Sequence, residues 1–191
     1  MLAHGWQVAL TGLFSATTAY CFWRLATARS QGIEAVVDVN HILMGPAMLL
    51  MVWWPSATGA KWVQLAVFAG MAVVFARHLT GLVTVTGRTG ALLHAGMNLG
   101  MVWMLLAMPT LMTADPAMAM DMPGHQHFSE LAGTRIWAAM GSWVAVGLMI
   151  LAAAWWISRV LRAPGHRVLC ACHALAFCGM AAMLGLMTPA L

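Results

Sequence analysis

The stretch HILMGPAMLLM, residues 41–51, decides how the rest of the chain is read. After His41, methionines follow at offsets 3, 7 and 10: Met44, Met48 and Met51. Steps of three and four keep side chains on one face of an α-helix. No charged residue interrupts the stretch, so the helix it predicts is buried in protein or lipid. The spacing occurs twice more. His94, Met97, Met101 and Met104 repeat it, and Met108 extends it to offset 14. His173, Met180, Met183 and Met187 give offsets 7, 10 and 14, with Ala176 at offset 3. Each segment carries one histidine at the base of a ladder of thioethers.

Composition sets the environment of these ladders. Of 191 residues, 62% are hydrophobic and only 7% are charged, whereas a soluble domain carries about 25% charged residues. Such a chain cannot cover a water-facing surface, which makes it an all-α, multi-pass protein of the lipid bilayer. Its length allows one membrane domain, residues 1–191. The net charge of +4 is mostly arginine near helix ends, which marks topology and excludes nucleic acid as the natural partner. Leucine or valine would face lipid as well as methionine does, so 18 methionines indicate adaptable packing or sulfur ligation.

Six spans are predicted: about 6–27, 36–54, 61–85, 90–112, 135–157 and 167–187. Trp53–Trp54 and Trp155–Trp156 read as interface belts. Residues 113–134 form a polar, Met/His-rich loop. Arg24, Arg29, Arg88, Arg159, Arg162 and Arg167 follow the odd-numbered spans, which places those loops in the cytoplasm and both termini outside the cell membrane. The ladders then lie on spans two, four and six with one polarity, histidine inward and methionine outward. At about 1.5 Å per residue, offset 14 covers about 21 Å of the hydrocarbon core. Three pairs, each an odd span followed by a ladder span, form a parallel repeat about the membrane normal.

Around a common axis, Met48, Met101 and Met180 form one layer and Met51, Met104 and Met183 the next. Met44 and Met97 lie below, and His41, His94 and His173 make a nitrogen layer at the base. Neutral thioethers select Cu(I) over hard cations, and imidazole also suits copper. Stacked weak sites are what conduction requires. The outer loop adds Met118, Met120, Met122, His125 and His127; Cys170 and Cys172 add thiols beside His173. A methionine stripe on one helix is commonly core packing, and buried cysteines are commonly inert. Three ladders of matching offset and polarity weigh against coincidence. His78, after Arg77, reads either as a fourth nitrogen near the histidine layer or, the favoured reading, as an Arg–His pair at the interface or bonded to a neighbouring helix. Gly96 and Gly100 predict a close helix contact, and Pro46 a kink in span two.

The HxxMxxxM stretches from His41 and His94, and the Cys-His-x6-Met stretch from Cys172 to Met180, resemble those of an uncharacterised actinobacterial family of small integral membrane proteins. That resemblance covers most of the chain and implies only a membrane location. In ligand layering the chain also resembles the Ctr-type copper transporters, which line a three-fold pore with Met-xxx-Met motifs. Met44-xxx-Met48 and Met97-xxx-Met101 match that spacing, and Ala176 breaks it on span six. The resemblance implies a filter role for those four methionines and, loosely, an exit role for Cys172 with His173.

The expected function is transport or channelling of Cu(I), inward, by a protein that is not an enzyme. A copper chaperone or cuproenzyme is its expected partner. Two rival readings come from the same residues: a b-type haem held by the histidines, and a copper-delivery factor for a membrane cuproenzyme. A structural subunit that uses methionine for packing is a third.

Overall fold

The computed structural model describes residues 4–54, 58–82, 84–112, 125–162 and 164–188. It contains α1 (His4–Ala26), α2 (Ile33–Trp53), α3 (Thr58–Gly81), α4 (Val85–Met112), α5 (His125–Arg162) and α6 (Arg167–Met187), with a 3-10 turn at Pro164–His166 before α6. No strand occurs among the described residues. The helices α2 to α6 are long and apolar enough to cross a membrane. Helix α1 is 23 residues long and more polar, with threonines and a glutamine along it. Helix α5 begins at His125, so residues 125–134 are helical where the sequence reading has a loop.

Packing is most extensive within the pairs α1–α2, α3–α4 and α5–α6, the three pairs expected from the repeat. Burial then separates two classes. In the apolar windows of α2, α4 and α6, 50, 50 and 56% of residues are buried, against 17% for α3 and 22% for α5. The ladder helices therefore form the interior, and α3 and α5 face lipid. Helix α1 buries Leu10, Phe14, Thr17, Cys21 and Arg24, a four–three–four–three stripe that packs on α2 and α6.

Lipid tails are as apolar as leucine, so burial of apolar area does not drive these contacts; close packing and polar bonds do. Close packing is visible at Gly45. A Cβ there would collide with the Thr18 side chain and lie 3.3 Å from the Phe14 carbonyl oxygen. Gly179 on α6 makes room for Leu13 and Phe14 in the same way. Pro46 lies on the exposed side of a continuous α2. The α1–α2 turn uses positive φ at Ala28 (51°) and Gly32 (58°).

Replacing Gly45 with valine will separate α1 from α2 and lower stability by about 1–3 kcal/mol, read as a lower unfolding temperature in detergent. Gly12→Ala, where a Cβ meets nothing within 4 Å, will be neutral or stabilising by up to about 1 kcal/mol.

Candidate metal centre

Helices α2, α4 and α6 each turn one histidine into the protein interior. His41, His94 and His173 are 4, 1 and 2% exposed. Their candidate ligand nitrogens all lie within 4.8 Å of one another. An ion held at about 2.0–2.1 Å from each nitrogen keeps any two within about 4.1 Å, so closing on an ion takes ring movements of about 1 Å. The rings of His41 and His173 stack at 5.0 Å, and His94 stands edge-on to both, at 5.5 and 4.9 Å.

Hydrogen bonding divides the labour among the rings. His94 Nδ1 donates to the Gly90 carbonyl, 2.8 Å away and one turn back. That bond fixes the tautomer, because the proton must sit on Nδ1 and the lone pair on Nε2. His94 Nε2 is buried and has no partner. His41 Nε2 and His173 Nδ1 are 2.9 Å apart. One of these nitrogens donates and the other accepts, so at least one of the two rings is neutral. Phe75 stacks on His94 at 5.4 Å. Trp156 packs against His173 at 4.3 Å and His94 at 5.8 Å.

Above the imidazoles, the methionines expected on one axis share a single core cluster. Met44, Met48, Met51, Met97, Met101, Met104, Met180 and Met183 are all at most 4% exposed and belong to it. Met187 packs against that cluster, half-buried. Ala176 is buried as well, and Phe177 fills the neighbouring space. Gly100 shows how two ladders meet: a Cβ there would lie 2.6 Å from the Met149 methyl and 3.7 Å from the Met180 methyl. Gly96, by contrast, has nothing within 4 Å, so the close contact expected of the glycine pair belongs to Gly100 alone.

Of the other expected ligands, only Cys170 and Cys172 have described side chains. Met118, Met120 and Met122 fall outside the described residues, and the side chains of Met108, His125 and His127 are likewise outside them. Cys170 is buried and lines a cavity of about 240 Å³ together with His94 and His173. Cys172 is half-buried. His78 is exposed, and its Nδ1 donates to the Val74 carbonyl at 2.9 Å, which leaves it outside the imidazole group.

Several residues of this region are ones the spacing did not single out. Arg24, read from the sequence as a topology marker, is buried and pairs with Glu34 at 2.8 Å and Asp38 at 3.3 Å. Those ion pairs join the end of α1 to the first turns of α2. Trp156, read as part of an interface belt, lies against the histidines because the last turns of α5 pack on α6. Asn40 and Asn98 are fully buried. Asn98 Nδ2 donates to the His94 carbonyl at 2.7 Å, while its Oδ1 and both polar atoms of the Asn40 amide have no partner. Met149 adds a thioether from α5. A signal existed for one of these: Asn98 interrupts an otherwise apolar run inside the fourth predicted span, where polar side chains default to function.

Asp38→Ala will leave the Arg24 guanidinium only its half-exposed partner Glu34, at a cost of about 1–3 kcal/mol. Glu34, whose side chain is 45% exposed, matters less: Glu34→Gln will cost about 1 kcal/mol or less. Thermal unfolding of the two variants in the same detergent measures the difference.

No curated protein and no solved structure matches the chain. Residues 33–187, which carry all three histidines and the whole methionine core, match the family described as a domain of unknown function (DUF5134), and the chain belongs to that family.

Proposed function

We propose that this multi-pass membrane protein binds Cu(I) at His41, His94 and His173 and passes it along the thioethers of α2, α4 and α6. The observation that carries the reading is the buried, unpartnered Nε2 of His94 inside a group of three imidazoles. A buried acceptor without a partner costs about 1–3 kcal/mol, and a bound cation removes that cost. The Gly90 bond holds the ring in the tautomer that ligation needs. Cu(I) is preferred among imidazole-binding metals because the adjoining wall is thioether, a soft and neutral donor. The same neutrality allows a monovalent ion to lose water without an anionic partner.

Met48, Met97, Met101 and Met183 are at 0% exposure, so the methionine section is packed shut in this conformation. Movement of an ion through it requires thioether side chains to swing, and methionine has the rotatable bonds to do so. The cell membrane is the proposed location, with the histidine end facing the cytoplasm by the arginine bias and inward movement as the direction. A delivery factor would use the same binding site without the passage. A porphyrin suits the geometry less well: a macrocycle between two axial imidazoles holds them apart, whereas these rings touch.

Purified protein titrated with Cu(I) against a chromogenic chelator will bind a tight equivalent at the histidines. His94→Phe, which keeps a ring against Phe75 and Trp156, will weaken that site by more than the about 10–100-fold typical of losing an outer-shell partner. Met48→Leu with Met101→Leu conserves volume and fold; it will keep the histidine site and slow Cu(I) flux into liposomes. Unchanged flux in the double variant sinks the pathway, and flux absent from the unaltered protein leaves delivery as the function.

A further inference from the structure

Helices α4 and α5 leave an apolar groove of about 700 Å³ between them on the lipid-facing side. Gly96, Gly100 and Gly141 line it, and exposed Leu99, Val144 and Leu148 form its rims. From Gly141 to Trp155 it follows α5 for about 21 Å, enough for a chain that crosses one leaflet, about half of the 30 Å hydrocarbon core. Trp155 is where the groove changes character. The same residue lines the cavity of about 240 Å³ that holds Arg159, His94 and His173. The Arg159 guanidinium lies 5.8 Å from the Trp155 ring, and its Nε is buried without a partner.

We propose that this continuous surface binds one anionic diacyl phospholipid, with an acyl chain in the α4–α5 groove and its phosphate on Arg159. Charge decides the headgroup. The chain has five acidic residues, and three of them, Asp115, Asp121 and Glu130, belong to the 113–134 segment. The other two, Glu34 and Asp38, both pair with Arg24. Glu34 is the one carboxylate among the described residues that lines the Arg159 cavity and the adjoining cavity of about 310 Å³ with Arg29 and Arg167, and its Oε2 is held by Arg24, so the arginines there outnumber it. A zwitterionic lipid brings its own cation into this basic region, whereas an anionic one leaves a net negative charge for it. Basic pockets between membrane helices hold anionic headgroups for this reason. The phosphate would then lie beside the cavity onto which His94 and His173 open, so that the lipid helps to close the imidazole group from the arginine side.

The test adds phosphatidylglycerol, phosphatidylcholine of the same chains, or inorganic phosphate to delipidated full-length protein in detergent, and reads bound mass by native mass spectrometry and the unfolding temperature. Phosphatidylglycerol is expected to bind one per chain and raise the unfolding temperature more than phosphatidylcholine does. Arg159→Gln is expected to weaken it about tenfold, or 1.4 kcal/mol. Gly96→Leu fills the groove at a position where a Cβ meets no neighbour, and is expected to weaken it without unfolding the protein. His41→Phe, at a histidine that lines neither the groove nor the Arg159 cavity, is expected to keep the lipid response, which separates this site from the copper reading. Equal binding of both lipids overturns the proposal. So does an unaltered response in Gly96→Leu, an equal effect of inorganic phosphate alone, or a lipid-free dimer that occupies the groove.

Discussion

Three imidazoles occupy a space that lipid cannot satisfy, and the histidine end of the molecule is arranged around that fact. Apolar contact gives membrane helices little reason to associate, since lipid supplies the same contact. Polar groups are different: away from water they gain by pairing inside the protein. His94 uses one nitrogen on its own helix at Gly90, while His41 and His173 share a bond between α2 and α6. The shared bond ties α2 to α6, the edge-on packing of His94 against both rings seats α4 beside them, and the methionines above share one cluster.

Methionine suits the wall of such a centre for two reasons that act together. Its flexible side chain fills irregular gaps between helices whose backbones stay apart, and its sulfur is a neutral soft donor. The closest helix pairs here join an odd helix to a ladder helix, and α2 and α6 meet through long side chains. The polarity of the surroundings changes from one end of the ladders to the other. Towards the methionines the interior is mostly apolar, with Ser142 accepting from the Trp103 indole. Towards the histidines it acquires Asn40, Asn98, the Arg24–Asp38–Glu34 ion pairs and two cavities bordered by arginine.

Most of the architecture was legible from residues 41–51 and their two echoes, because a helix converts sequence offset into a face with little ambiguity. The side chains on that face at 41, 44, 48 and 51 are buried as the offsets imply. Legibility declined where burial depends on a partner helix. Trp156 resembled an interfacial tryptophan until α6 was packed beside it. Arg24 resembled a topology marker until α2 brought two carboxylates to it. Met149, a single thioether without a repeat, carried no periodic signal. Gly96 and Gly100 were equivalent as a spacing, and only the neighbour across α4 distinguishes them.

By itself the sequence determined a helical membrane protein, the number of its ladders, their residues and the direction in which histidine precedes methionine. Composition and the 3.6-residue period are local properties, and they do not depend on what lies across the interface. Only the tertiary structure decided that the three histidines share one site, that His94 keeps a lone pair without a partner, and that arginines border the cavity beside it. Those are distances between residues as many as 132 positions apart in the chain. They arise from which helix packs on which, a choice that no single helix encodes.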